Sequence, residues 1–181
     1  MTPDWSPFSL TPAGERGDPP RSIDTIEGRG DRMRTAAFAE LQARHAFLWG
    51  AERFTEVPEA LRQAWRSLAA AEDRHLNWLL QRMAALGISI TERRVSDQLW
   101  KTLTSCKSAC EFAIYMATAE ERGRRAGERF AVAMKSRDPE SAVIFGKIAE
   151  EEVAHIVLAE RFFPAEFRAE RSLSELARGL H

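Results

Sequence analysis

The stretch Leu68-Ala69-Ala70-Ala71-Glu72-Asp73-Arg74-His75-Leu76-Asn77-Trp78-Leu79 decides how this chain folds. In an α-helix, residues three apart share a face, so Glu72 and His75 project together from a stripe that also carries Leu68 and Leu79. Charged groups on an apolar stripe are costly to bury unless they are paired or bind a metal. Glu152-Val153-Ala154-His155 repeats the motif, on the stripe Phe145, Ile148, Glu152, His155 and Ala159.

Two further glutamates fall into register with these pairs. Glu40 lies on the stripe Ala36, Glu40, Ala43 and Phe47, and Glu120 on the stripe Cys106, Cys110, Ala113, Ala117 and Glu120. Glu40 precedes Glu72 by 32 residues, and Glu120 precedes Glu152 by the same 32. The chain therefore reads as two helical hairpins of matching design, each supplying one Glu and then one Glu-x-x-His. Four carboxylates and two imidazoles in this arrangement are the ligand set of a di-iron or di-manganese site in a four-helix bundle. Four carboxylates balance two divalent cations, whereas without metal they repel one another and must take up protons. Oxygen and nitrogen donors suit iron, with manganese as the other candidate. The expected ligands are Glu40, Glu72, His75, Glu120, Glu152 and His155, with Glu72 and Glu152 bridging. Glu121 rivals Glu120, and the small residues Cys110, Ala113 and Ala117 beside Glu120 favour the latter by leaving room for a site.

Prolines and glycines mark the helix ends. Five of the eight prolines lie in the first twenty residues, leaving Pro58, Pro139 and Pro164 as punctuation. Proline is tolerated in the first turn of a helix and not in its interior. The expected helices span 31–54, 58–86 (stopped by Gly87), 105–135 and 139–162 (capped by Asp138), with a short tail helix over 164–177. Segment 87–104 is too long for a tight turn and suits a crossover with a helical piece near 97–103. The expected fold is all-α: a ferritin-like four-helix bundle of two antiparallel hairpins joined by a long crossover, with a short C-terminal helix. The chain divides into a proline- and glycine-rich N-terminal extension (1–30), the bundle (31–163), and a C-terminal helix and tail (164–181).

With 26 Lys+Arg against 27 Asp+Glu, the 181-residue chain lacks the strongly basic signature of a nucleic-acid-wrapping domain. The arginines of 93, 94, 122, 124, 125 and 129 are read as a solvated face. No run of 18 apolar residues offers a membrane span, and no basic start followed by an apolar run marks a secretory signal. Cytoplasm is the expected compartment. Two cysteines cannot build a disulfide framework. Cys106 and Cys110, read as stacked on one helix, count as small core residues. Tyr115 should point away from Glu120, His45 away from Glu40, and Arg44 is either a partner of a ligating carboxylate or a surface residue. The tryptophans 49, 65, 78 and 100 are read as packing or interface residues, and His181 is set aside.

The segments Glu40-Leu41-Gln42-Ala43, Glu72-Asp73-Arg74-His75, Glu120-Glu121-Arg122-Gly123 and Glu151-Glu152-Val153-Ala154-His155 resemble the ferritin-like group catalogued as domain of unknown function 455. The resemblance covers about residues 33–163, and Glu40-Leu41-Gln42-Ala43 is its most specific piece. Relatives in the wider superfamily include a hydroxylase of a tRNA adenosine, rubrerythrin-type peroxidases and ferritins. The resemblance implies the metal site more firmly than any one of those reactions. A di-iron oxidoreductase of monooxygenase, oxidase or peroxidase type, acting on a small molecule with O2 or peroxide, is the leading expectation. A ferroxidase or iron-storage subunit is the first alternative, and a tRNA-modifying hydroxylase the second. No Cys-x-x-Cys iron module is present, so a separate electron donor is expected. A homodimer is compatible with an enzyme of this kind.

Overall fold

Alanine-rich amphipathic segments bounded by prolines, glycines and capping side chains give a chain of helices. The computed structural model describes the backbone of residues 3–179 and the side chains of residues 3–172. Six helices follow in order among these described residues: α1 (Ile26–Arg53), α2 (Glu59–Ala85), α3 (Gln98–Ser105), α4 (Ala109–Met134), α5 (Pro139–Phe162) and α6 (Pro164–Gly179). Among the described residues the extended pairing is a single parallel bridge between Leu10 and Val95, so the fold is all-α. No helix among the described residues is long and apolar enough to cross a membrane. The chain forms two units, Met1–Trp49 with Trp65–Thr104, and Gly50–Ala64 with Ser105–His181.

In the first unit, α1 starts five residues before the expected Asp31. The Thr25 hydroxyl accepts from the Gly28 N–H at 3.0 Å and caps the first turn. Two glycines in that turn serve close contact. A Cβ on Gly28 would sit 1.8 Å from the Ser22 carbonyl oxygen, and one on Gly30 would sit 2.9 Å from the Ile88 side chain. At the end of α2, Gly87 takes a φ of 67°. Ile88 N–H donates to the Met83 carbonyl at 2.9 Å and Gly87 N–H to Ala84 at 3.0 Å, closing the helix with a Schellman motif.

Residues 5–21 pack onto α1 and the segment after α2. Trp5 and Phe8 are buried, and Trp5 meets Phe38, His45 and Trp100 edge-on at 5.3, 5.6 and 5.8 Å between ring centres. Thr11 N–H donates to the Val95 carbonyl and Val95 N–H to that of Ser9, both at 2.8 Å.

Polar groups hold the unit together as well. Gln42 is 3% exposed. Its amide nitrogen donates to the Ser96 carbonyl at 3.2 Å, and its oxygen accepts from Trp100 N–H at 3.0 Å, so it caps the first turn of α3 from another helix. Buried Asp31 accepts from Arg21 and from Arg93 at 2.7 Å and lies 3.3 Å from Arg34. Burial pushes its carboxyl up, but the hydrogen bonds from Arg21 and the Arg93 guanidinium prevail and hold it well below its ordinary 3.8. Buried Arg34 also donates to the Ser89 carbonyl and pairs with Glu92.

In the second unit, α4 begins at Ala109 rather than Ser105. Ser108 accepts from Glu111 N–H at 3.1 Å while the Glu111 carboxylate accepts from Lys107 N–H at 2.7 Å. Ser105 instead ends α3. Cys106 therefore sits in the connection and Cys110 on α4, which corrects the reading of both as stacked on one helix. Asp138 caps α5 through Ser141 N–H at 3.2 Å, with Pro139 in the first turn. The short link 135–138 folds α5 back antiparallel on α4, with Phe130 and Phe145 4.4 Å apart between ring centres. Gly50 faces the Phe112 ring, where a Cβ would lie 2.7 Å away. Phe167 of α6 is buried.

Two outcomes test this account. Gln42→Leu leaves the Trp100 N–H and Ser96 carbonyl without their buried partner, and urea unfolding is expected to show a loss of about 2 kcal/mol. The depressed Asp31 carboxyl stabilises the fold above its unfolded value of 3.8 and loses that contribution as pH falls toward the folded value. The gap in melting temperature between wild type and Asp31→Asn should be constant from pH 7 to about 5 and close below about 4.

Candidate metal centre

Each unit brings three of the expected residues together. In the first, Glu40 of α1 meets Glu72 and His75 of α2, each offering one donor atom within 4.8 Å of the others. His75 Nδ1 lies 3.6 Å from Glu40 Oε2 and 3.6 Å from Glu72 Oε2. Glu72 and His75 are completely buried, and the Glu40 side chain is 12% exposed. The Trp78 ring lies against the His75 ring, 5.5 Å between centres and tilted by 39°, which restricts imidazole rotation.

In the second unit, Glu120 of α4 meets Glu152 and His155 of α5, again with donor atoms within 4.8 Å. His155 Nδ1 lies 3.0 Å from Glu152 Oε2, and all three residues are buried. The inward stripe of α5 is Phe145, Ile148, Glu152, His155 and Ala159, all buried. On α4, Ala113 and Ala117 share the buried face with Glu120.

The donor chemistry fits a metal ion. Two ligands about 2.1 Å from one ion and at right angles to each other stand about 3 Å apart, close to the histidine-carboxylate spacings here. Two carboxylates and one imidazole form a hard oxygen-nitrogen set that suits iron, manganese or zinc and lacks thiolate.

The other residues singled out in the sequence take different places. Glu121, about 100° round α4 from Glu120, is turned to a pair of arginines instead. It accepts from Arg124 Nε at 2.7 Å and Arg125 Nε at 2.6 Å. The Arg124 hydrogen bond leads, against burial and with help from Arg125, in lowering its carboxyl to about 2. Arg44 pairs with Asp73 at 3.0 Å on the partly exposed flank of the first triad. His45 lies against Trp5 and Trp100, and burial, with the nearby Arg44 charge, lowers its pKa. Tyr115 stacks under Arg122 at 6.0 Å. Cys106 is buried and Cys110 half-buried; burial raises both thiols, which keeps them protonated and unreactive. Sequence reading missed Gln42 as a polar clamp and Trp78 as the neighbour of a triad histidine. The i, i+3 spacing of His75 and Trp78 is the signal that finds the second.

Fold and site together define an all-α protein with buried Glu-x-x-His triads whose donor atoms could hold a metal ion. The chain belongs to the family described as protein of unknown function (DUF455), which it matches over residues 10–176, a span holding all six triad residues. No curated protein and no solved structure matches it.

The triad geometry separates neighbouring glutamates. Glu120→Gln is expected to lose at least half the transition metal bound by wild type, while Glu121→Gln retains it, as read by elemental analysis of the purified variants.

Proposed function

We propose that the two triads are the halves of one dinuclear carboxylate centre, holding two iron ions with manganese as the alternative, and that the protein is an oxidoreductase using O2 or peroxide. The observation that carries this reading is the pair of buried Glu-x-x-His triads, each completed by a glutamate placed 32 residues earlier. In this reading Glu40, Glu72, His75, Glu120, Glu152 and His155 would hold the ions, with Glu72 and Glu152 the most buried carboxylates of their triads. Two adjacent redox-active ions supply the electrons that reduce an oxygen molecule or a peroxide. The chain's own part is to hold the six donors in place and exclude bulk water. Burial of Glu72, His75, Glu152 and His155 and the stacking of Trp78 support that role.

Two cysteines are too few for an iron-sulfur module with four cysteine ligands, so in this reading reducing equivalents come from a separate donor. The substrate is a small molecule. A tRNA substrate is less favoured, because four of the six arginines that would form its patch already have acidic partners: Arg124 and Arg125 pair with Glu121, Arg93 with Asp18 and Asp31, and Arg94 with Glu15.

Metal analysis of aerobically purified protein is the direct test. Wild type should carry about two iron or manganese ions per chain, and Glu72→Ala or Glu152→Ala less than half of that. The reduced, iron-loaded wild type should consume oxygen. Only trace metal in the wild type, or a loaded protein inert to oxygen, overturns the reading.

A further inference from the structure

The outer face of α5 lies opposite the stripe that carries Glu152 and His155, and it is unusually apolar. Val143, Val153 and Val157 are 70%, 48% and 50% exposed. With 3.6 residues per turn, they fall within about 80° of one another on the helix surface. Gly146, Lys147, Glu150 and Ala154 complete the stripe, and all four are exposed. A Cβ placed on Gly146 would meet nothing within 4 Å. Single exposed valines are ordinary on protein surfaces, but here three share one helix face over four turns, with Gly146 and Ala154 beside them and the opposite charges of Lys147 and Glu150 between Val143 and Val153.

The spacing 143, 146, 150, 153, 157 alternates three and four, the rhythm of a helix that packs against another helix. The stripe is also complementary to itself when run antiparallel. In that register, Val143 of one copy enters the hole formed by Glu150, Val153, Ala154 and Val157 of the other, and symmetry repeats the contact. The same register sets Lys147 of one copy beside Glu150 of the other, again twice. The two-fold axis of this register passes between Lys147 and Glu150, and Gly146, one position outside Lys147, adds no side chain beside them. A parallel match brings Lys147 opposite Lys147 and Glu150 opposite Glu150, and is disfavoured by charge.

We propose that α5 is the interface of a symmetric homodimer, two copies of this chain packed antiparallel through Val143, Val153 and Val157 and held in register by Lys147–Glu150 pairs. A two-fold contact of this kind uses one patch on both copies, which is what a self-complementary stripe provides. The proposal is independent of the metal centre, because the residues involved face away from the triad.

Sedimentation equilibrium of the full chain at 10–100 µM (about tenfold in concentration) tests it. Wild type should approach twice the 20.4 kDa chain mass. Val153→Glu with Val157→Glu should raise the dimer dissociation constant by at least about 100-fold, with an unchanged helical circular dichroism spectrum. Lys147→Glu alone should weaken the dimer about tenfold, and Lys147→Glu with Glu150→Lys should restore it. Val132→Glu, at an exposed valine of α4, serves as the control and should leave the dimer intact. A monomeric wild type overturns the proposal and leaves the stripe to a different protein. A dimer that survives the double glutamate variant, or one that the charge swap fails to restore, overturns it as well.

Discussion

A carboxylate beside an imidazole inside a helical core is the constraint on which this structure depends. Removing such groups from water costs several kcal/mol unless counter-charge or a metal compensates. The rest of each triad's surroundings is arranged around that cost. α-Helices satisfy their own backbone hydrogen bonds, so the polarity of each core is confined to the three donor side chains. Large apolar residues flank the donors along their helices, Phe47 on α1, Leu79 on α2, and Phe145 and Ile148 on α5, while on α4 the small buried residues Ala113 and Ala117 precede Glu120.

Donor atoms held a few ångströms apart need stiff supports. In the first unit that stiffness comes from polar staples as much as from packing. Gln42 ties α1 to the start of α3 two residues from Glu40, and Arg34 ties the same helix to the segment after α2. Asp31 gathers Arg21, Arg34 and Arg93 into a network that anchors the first turns of α1. In the second unit the supports are mainly local: two capped N-termini and a short link make α4 and α5 a hairpin whose register is set by its ends.

What was legible in the sequence divides along the same line. The bounds of α5 follow from Asp138 and Pro139, and the end of α2 from Gly87, because capping acts over one turn. The triads follow from i, i+3 spacing for the same reason. The start of α4 was also readable, since Ser108 and Glu111 carry a capping pattern, but the apparent continuity of the Cys106–Cys110 stripe obscured it. Glu121 carried a local signal too, with arginines three and four residues later. By contrast, Thr25 could not be recognised as a cap when Gly28 and Gly30 looked like breakers; their purpose depends on Ser22 and Ile88, one of them nearly sixty residues away. Gln42, Asp31 and Arg34 were illegible for that reason, as each is satisfied by a partner distant in sequence.

The docking of residues 5–21 bears on the order in which the first unit is assembled. During synthesis Trp5, Phe8 and Leu10 emerge before α1 and α2, and their partners Val95 and Trp100 arrive only after both helices have been made. Contacts so far apart in sequence are slow to close, since the loop entropy is spent before the contact is gained. Until the crossover appears, the aromatic N-terminal segment has only its α1 partners, Phe38 and His45, to cover it, and its prolines, which cannot donate to a strand ladder, disfavour strand pairing in the meantime.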